Sequence, residues 1–248
     1  MQDRIQRQLA FLNSRAHRQV RRTLSDAEWA EEAARFQRRD LSMIERYTRR
    51  LEAFLDKEEV VLLPDTRIQG QRTLIDFPDL YLPGELEEIG RTRHVHERGK
   101  VCNLACDYDA VLREGLEGRR ARALRAMEHA DAEGKEFLSC AVRTIDATEK
   151  FALRYADALE KQGDAELAEA LRVQLFSGAR TLVGAMQSFR MLHFVLWASG
   201  SYHNTVGRMD QYLYPYYLND KKAGMSDEDV EALFEDFLLS FNRDSDRY

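Results

Sequence analysis

The sequence of 248 residues contains few prolines, glycines and cysteines. Four prolines and thirteen glycines are few for an all-β protein, and they suit a mainly helical fold. The three cysteines, Cys102, Cys106 and Cys140, lack the even number and the spacing of a disulfide framework. We therefore expect a mainly helical protein from a reducing compartment.

The sequence also lacks a long apolar run. Residues 1–20 have no apolar core of a secretory signal, although their arginines resemble those of an organelle transit peptide. Residues 182–198 are the most apolar segment, but polar side chains such as Gln187 and Arg190 make it too polar to span a membrane. The sequence therefore predicts a cytoplasmic protein with no membrane partner.

Several common signatures of enzymes are missing. There is no phosphate-binding loop, dinucleotide fingerprint, Gly-x-Ser-x-Gly elbow or His-Glu-x-x-His motif. The net charge of −6 argues against a general nucleic-acid binder. The charge is uneven, because residues 1–22 are rich in arginine and residues 200–248 are rich in acidic side chains. The basic start of the chain is therefore a candidate binding surface for a protein partner.

The apolar periodicity predicts helices over most of the chain. Ser25 and Glu28 have the spacing of a capping box, and Ser226 is placed to cap the last helix. The short apolar run Val60–Leu63, which ends at Pro64, predicts a strand. Residues 64–106 show no helical period, so we expect a long irregular segment there.

Two features predict helix breaks and burial after residue 107. Gly115 and Gly118 interrupt an apolar helix, which indicates a break or close packing. Residues 181–198 are apolar on nearly every face, so this helix should be buried on all sides. Gly200 is placed to end it in the left-handed conformation.

Three groups of side chains are candidates for chemistry. His94 and His96 would face the same side of a strand as a metal-binding pair, with His203 as a third ligand, or they belong to an exposed polar loop. Arg67 and Arg72 flank Gly70, and they bind either a carboxylate ligand or another part of the protein. Residues 202–205, Tyr-His-Asn-Thr, follow the buried helix and indicate a ligand pocket or a structural hydrogen-bond network.

Three segments resemble the glycyl radical enzymes of the pyruvate formate-lyase-like family. Gly207-Arg-Met-Asp-Gln-Tyr-Leu-Tyr-Pro-Tyr-Tyr217 resembles the family signature Gly-Arg-Phe-Asp-Gln-Tyr-x-Tyr-Pro-Tyr-Tyr. Asp107–Leu116 resembles an earlier element, Asp-Tyr-x-x-Val-Leu-x-x-Gly-Leu, and Ala185–His193 is similar to the helix that precedes the signature. The likeness extends from about Glu58 to Tyr248, so we expect one unit made of a helical segment, 1–57, and a family-like region, 58–248.

The resemblance implies a ten-stranded α/β barrel wrapped in helices. It implies for this chain a mostly α fold with a few short strands, comprising the N-terminal helical part and the first barrel elements. In the family, an activating enzyme that uses S-adenosylmethionine installs a glycyl radical near the C-terminus, and the radical passes to a cysteine that follows the signature. All three cysteines here precede the signature, and the family's Arg-Val-x-Gly-Tyr radical loop does not occur in the 248 residues.

The resemblance also implies pocket and scaffold positions. In diol-dehydratase-like members, substrate-contacting His and Ser precede the signature, and Tyr202 and His203 occupy those two positions here. Asn103 occupies the position of another substrate-contacting His in those members, and Asn204 joins the candidate pocket. The signature residues expected to be structural are Arg208, Asp210, Gln211, Tyr212 and Pro215.

The function expected from the resemblance is that of the N-terminal portion of an anaerobic glycyl radical enzyme, a transferase or lyase that cleaves a C–C, C–O or C–N bond of a small substrate. We expect no catalytic residue, metal or cofactor in this portion and no activity of the chain alone. The expected partners are a C-terminal portion or companion subunit, the activating enzyme and a second copy of the chain. The alternative is a helical regulatory module that binds an activating enzyme or an enzyme subunit through its Arg-rich first helix.

Overall fold

The described residues form helices joined by loops. The computed structural model describes residues 2–92, 104–201 and 204–244. Those three ranges contain no β-sheet, and their only strand-like pairings are two isolated parallel bridges. The helices are α1 (Gln2–Asn13), α2 (Asp26–Phe36), α3 (Met43–Lys57), α4 (Glu85–Thr92), α5 (Tyr108–Met127), α6 (Ala132–Gln162), α7 (Ala165–Glu169), α8 (Leu175–Ser177), α9 (Leu182–Ala198), α10 (Met209–Tyr212), α11 (Tyr214–Lys222) and α12 (Asp227–Ser240).

Shorter helical turns complete these elements. A π-helical turn, Ala170–Gln174, joins α7 to α8, and 3₁₀ turns cover Ala16–Arg18 and Phe241–Arg243. In the described part of the chain, no helix has the length and apolar content needed to cross a membrane.

The starts of the longer helices follow from the local sequence. The Ser25 side chain accepts a hydrogen bond from the backbone of Glu28, whose carboxylate accepts one from the Ser25 backbone, so the predicted capping box is confirmed. Ser226 caps α12 as predicted, through the Asp229 backbone N–H. Each of these caps satisfies a backbone donor that the first helical turn leaves unpaired.

The prediction of strands and first barrel elements is wrong for the described residues. Val60–Leu63 is an extended loop with no strand beside it. The side-chain amide of Gln69 takes the place of a neighbouring strand: its Oε1 accepts from Leu63 N at 3.0 Å, and its Nε2 donates to Leu63 O at 3.0 Å. Because the Gln69 side chain satisfies the backbone N–H and C=O of Leu63, this residue is buried without a sheet.

The helix α9 lies at the centre of the core. Its buried side chains lie on every face of the helix, as predicted, and include charged Arg190 and polar Gln187. The main hydrophobic cluster extends in sequence from Phe36 to Phe237 and includes Phe189 and Phe194 of α9. The first half of α9 is therefore enclosed on all sides. One side of its second half, with Leu192, Leu196 and Trp197, is only half-buried.

Gly115 allows two backbones to approach closely. Its φ of 70° and ψ of 171° interrupt α5, which confirms the predicted break. A Cβ atom at this position would lie 2.0 Å from the carbonyl oxygen of Phe176. The Ala179 N–H donates to Leu112 O at 2.7 Å beside this contact. Only glycine combines this backbone conformation with the space that the contact leaves.

Buried carboxylates hold the irregular segment that follows Pro64. Glu58 accepts hydrogen bonds from the backbone N–H groups of Thr73 and Leu74, and Asp244 accepts one from Arg72 N. Burial raises the pKa of Glu58 to about 7, although the two N–H donors favour its ionised form. The segment therefore depends on side chains distant in sequence for its backbone hydrogen bonds.

Two buried arginines complete this network. Arg190 of α9 is fully buried, and its Nη2 donates to Asp244 and to Gly70 O. Arg243 donates to Ile68 O and pairs with Asp236 at 3.2 Å. A buried ion pair is stable only when both partners are present, because removing one leaves an uncompensated charge in the interior.

Arg67 and Arg72 bind other parts of the protein. Arg72 donates to the carbonyl groups of Leu74 and Ile75, and its guanidinium lies 4.1 Å from the centre of the Trp197 ring. Arg67 pairs with Glu166 at 3.5 Å. The sequence left two interpretations of this arginine pair open. These contacts favour the one in which both side chains bind other parts of the protein, and not a carboxylate ligand.

We predict that Gly115→Ala lowers the free energy of unfolding by more than about 3 kcal/mol. The added Cβ would collide with the Phe176 backbone, and the left-handed φ would be strained. Gly118→Ala is the matched control, because Gly118 lies in the same helix with helical φ, and we expect a change below about 1 kcal/mol. Urea denaturation measures both values. Equal effects of the two substitutions would contradict the role of Gly115.

Candidate functional site

The candidate site lies where two loops distant in sequence meet. The backbone N–H of Thr205 donates to Leu104 O at 3.0 Å, and Ala105 and Thr205 form a parallel bridge. We call residues 104–107 and 204–208 the paired loops. The first leads into α5, and the second follows the turn at the end of α9. The bridge therefore brings together the two regions to which the sequence assigned pocket residues.

The predicted pocket residues can be compared with this arrangement only in part. Asn103, Tyr202 and His203 lie outside the described residues, and their assignment stays a prediction. Asn204 lies in the described part, and its Nδ2 donates to Ser201 O at 2.8 Å. Its buried Oδ1 has no hydrogen-bond partner among the described residues. This oxygen is therefore an unused acceptor beside the bridge.

The end of α9 fixes the turn that leads to Asn204. Gly200 has a φ of 95°, which confirms the predicted left-handed helix stop, and its N–H donates to Trp197 O at 2.9 Å. The Ser201 N–H donates to Leu196 O at 3.3 Å. These bonds close the turn tightly against the last residues of the helix.

His193 reaches the same turn from the side of α9. Its Nε2 lies 3.4 Å from Asn204 O, and its ring packs between Phe189 and Phe241 with centroid distances of 5.9 and 4.9 Å. Burial, together with the positive charge of Arg190, lowers the pKa of His193 to about 4. The ring is therefore neutral near pH 7. If Nε2 carries the proton for Asn204 O, Nδ1 is an acceptor with no partner among the described residues.

Tyr108 contributes a third buried polar atom. Its ring centroid is 4.2 Å from that of Phe189, and its hydroxyl interacts with the Cys106 thiol but has no nitrogen or oxygen partner among the described residues. Burial raises the pKa of Tyr108, and the nearby Cys106 thiol raises it further, so the hydroxyl stays protonated. Cys106 is half-buried, and burial raises the pKa of its thiol.

This region thus has three neutral polar groups, two of them on side chains beside the Phe189 ring and one in the turn at Asn204. The Tyr108 hydroxyl can donate, and Asn204 Oδ1 and His193 Nδ1 can accept. Groups of this kind form hydrogen bonds with hydroxyl-bearing molecules. Neither Tyr108 nor His193 was predicted from the sequence as a pocket residue, although both lie in the segments that carry the family resemblance.

The signature residues lie on the second paired loop and the helices after it. Arg208 and Asp210 form an ion pair at 3.3 Å, and both are exposed, with 71% and 68% of their side-chain surface accessible. Tyr212 is buried, and its hydroxyl donates to Val206 O within the loop. Gln211 is exposed, and Pro215 lies in the first turn of α11. Only Tyr212 among these five residues thus contributes a buried side chain to the loop.

No metal centre is found among the described residues. Within residues 2–92, 104–201 and 204–244, no group of three or more His, Cys, Asp or Glu side chains is placed to hold a metal ion. His94, His96 and His203, which carried the metal-binding hypothesis, lie outside these ranges, so that hypothesis stays untested.

A family comparison matches most of the chain. The family model described as pyruvate formate lyase-like matches residues 85–245, which is more than half of the 248 residues. A probable dehydratase of Escherichia coli is 29% identical over 138 residues, and the isethionate sulfite-lyase of Bilophila wadsworthia is 28% identical over 139 residues. Each alignment covers 48% of this chain and 17% of the relative. The chain therefore spans a small part of the length of these curated relatives.

Solved structures share the fold over nearly the whole chain. A structure concerning 1,2-propanediol dehydration in Roseburia inulinivorans has a TM-score of 0.82 at 20% identity, covering 99% of this chain and 40% of that one. The glycerol-bound glycerol dehydratase of Clostridium butyricum has a TM-score of 0.79 at 18% identity, covering 97% and 39%. A glycyl radical enzyme of Archaeoglobus fulgidus has a TM-score of 0.72 at 16% identity, covering 97% and 40%.

We predict that His193 makes the protein sensitive to acid. A base whose pKa is lowered in the folded state contributes stability above its unfolded pKa, near 6.5, and loses it as the pH falls towards about 4. The free energy of unfolding of the wild type should therefore fall relative to that of His193→Gln between pH 6.5 and 4, by up to about 3 kcal/mol.

Urea denaturation at several pH values measures this difference. His129→Gln is the control, because His129 is exposed, and it should leave the pH dependence of the wild type unchanged. If His193→Gln and the wild type lose stability in parallel over this range, His193 is not held neutral by the fold.

Proposed function

Because the chain belongs to the pyruvate formate lyase-like family, we propose that it forms the N-terminal part of a glycyl radical enzyme and one wall of its substrate pocket. The observation that carries this proposal is the bridge between residues 105 and 205. It joins the loop next to Asn103 to the loop next to Tyr202 and His203. The residues aligned with substrate-contacting positions in the family therefore stand next in sequence to two loops that a backbone hydrogen bond holds together.

The proposed reaction is the radical cleavage of a C–O, C–C or C–N bond in a small polar substrate. The polar groups of Tyr108, His193 and Asn204 are neutral, so they favour hydroxyl groups of a substrate over strongly charged ones. The similarity to a probable dehydratase and to a sulfite-lyase favours an elimination, which is a lyase reaction. Asn, Tyr and His at positions 103, 202 and 203 replace the His, His and Ser of diol-dehydratase-like members, so we propose a substrate other than a simple diol.

The chemistry requires groups beyond these 248 residues. In our proposal, a continuation of the chain or a companion subunit supplies the cysteine and the glycine that carry the radical, and an activating enzyme that uses S-adenosylmethionine installs it. Exposed apolar side chains supply contact surface for such a partner: Tyr214 of α11 is 54% exposed, and Leu238 of α12 is 49% exposed. Tyr214 also stacks on Tyr217, with ring centroids 5.9 Å apart.

The alternative of a regulatory module has less support. It requires the Arg-rich start of the chain to be available to a partner. Arg7 is bound to Asp65 by two hydrogen bonds, and Arg21 donates to Arg243 O at 2.8 Å. The first helix also packs against α12. Arg7 and Arg21 thus contribute to intramolecular contacts, which favours a structural role for this part of the chain.

We predict that a glycyl radical forms only when the chain is combined with a polypeptide that carries the late cysteine and glycine. The experiment is anaerobic incubation with the activating enzyme, S-adenosylmethionine and a reductant, followed by electron paramagnetic resonance and assays with small polyols, amino alcohols and sulfonates. The chain alone should give no glycyl doublet and no turnover. A doublet or turnover from the chain alone would contradict the proposal.

A second prediction tests the pocket itself. In the combined enzyme, Asn204→Asp should lower kcat/KM by about 10- to 100-fold, because it places a charge at a buried neutral acceptor. Asn219→Asp is the matched control, since Asn219 is exposed on α11, and it should change kcat/KM by less than about twofold. Equal activity of the two variants would remove Asn204 from the pocket.

A further inference from the structure

We propose that Arg50 of α3 is a positioning residue for the candidate site: it fixes the end of α9 and with it the turn at Gly200 and Ser201, which holds the Asn204 side chain. The importance of this residue for substrate binding rests on the proposed function, whereas its effect on the turn does not. Residue 50 precedes the region matched by the family model, which begins at residue 85. The inference therefore assigns a role at the site to the first part of the chain.

The contacts of Arg50 bridge three backbone segments. It is buried, with 5% of its surface exposed. Its Nη1 donates to Ala198 O at 3.3 Å and to Ser199 O at 3.4 Å, and its Nε donates to Pro78 O at 2.7 Å. The guanidinium also lies 5.5 Å from the centre of the Phe77 ring. A single side chain thus links α3, the irregular segment before α4 and the last carbonyl groups of α9.

These carbonyl groups are the ones that a helix end leaves without intrahelical donors. The last turn of a helix presents unpaired C=O groups and a partial negative charge, and an arginine satisfies both. The planar guanidinium fixes the direction as well as the distance of these bonds. Arg50 consequently determines where the backbone leaves α9.

The turn after α9 is short, so the position of the helix end also determines the position of Asn204. Gly200 and Ser201 donate back to Trp197 and Leu196, and Ser201 O accepts the side chain of Asn204. A displacement at residue 198 or 199 therefore moves Asn204 through only a few bonds. On the opposite side of the turn, His193 contacts Asn204 O, so the turn is held from two directions.

Arg46 provides a matched control. It is also a buried arginine of α3, one turn before Arg50. It donates to Arg38 O at 2.9 Å and pairs with Glu85 at 2.7 Å, and neither of these partners belongs to the turn. Arg46→Met therefore removes a buried charge from the same helix without removing a bond to α9.

The test compares Arg50→Met, Arg50→Lys and Arg46→Met by hydrogen–deuterium exchange of the full chain. We expect the amides of Gly200 and Ser201 to exchange about tenfold faster in Arg50→Met, because the helix end loses two hydrogen bonds. In Arg50→Lys the exchange rate of these amides should rise by an intermediate amount. An ammonium group retains the charge but lacks the planar set of N–H donors of a guanidinium. In Arg46→Met these amides should keep the wild-type rate, after normalisation to the global stability of each variant.

The kinetic test uses the chain combined with the polypeptide that carries the late cysteine and glycine. Arg50→Met should raise KM by about tenfold with a smaller change in kcat, because substrate contacts are displaced while the radical groups are not. Arg46→Met should leave KM within about twofold of the wild type. Equal exchange rates in Arg50→Met and Arg46→Met would overturn the positioning role, whatever the activity of the enzyme. Faster exchange in Arg50→Met with an unchanged KM would overturn its role in substrate binding.

The two proposals fail in different ways. If the combined wild-type enzyme shows no turnover with any substrate, the proposed function fails, and the exchange experiment still decides whether Arg50 fixes the turn. Where Arg50→Met does not fold, Arg50→Lys supplies the same comparison, and an unchanged exchange rate in that variant would overturn the positioning role.

Discussion

The structure depends on how the backbone of residues 66–74 is hydrogen-bonded inside the core. No strand pairs with most of this segment, and its N–H and C=O groups bind side chains instead. Glu58, Asp236 and Asp244 accept from its N–H groups, while Arg190 and Arg243 donate to its carbonyls. Unpaired backbone groups in the interior would cost free energy comparable to lost hydrogen bonds. The charged side chains in the core are therefore required by the loop that they surround.

The same network determines the chemistry of the candidate site. Arg190 must be charged to pair with Asp244, and its remaining nitrogens face the rings of Phe194 and Phe241 without hydrogen-bond partners among the described residues. Burial is the main cause of the low pKa of His193, and the charge of Arg190, three residues earlier on α9, also opposes protonation. A group that stabilises the fold thus also favours the neutral form of a histidine at the candidate site.

Local signals in the sequence predicted local structure well. The caps at Ser25 and Ser226, the break at Gly115 and the stop at Gly200 were predicted because each depends on a few neighbouring residues. The strand at 60–63 was wrong because a short apolar run has the same pattern in a buried strand and in a buried loop. The deciding contact, the Gln69 amide on Leu63, involves a polar side chain that no periodicity reveals.

At the candidate site, too, features set by neighbouring residues could be predicted from the sequence and contacts between distant residues could not. The resemblance predicted pocket residues at positions 103, 202 and 203, which lie outside the described residues, and the structure pairs the loops next to them in sequence. It could not identify Arg50 or His193, because their roles arise from contacts with the backbone of a distant or following turn. The pairing of the loops is itself a bond between backbone atoms, Thr205 N and Leu104 O. Side chains of the paired loops can therefore change without loss of that bond, so the pairing does not depend on which residues stand there.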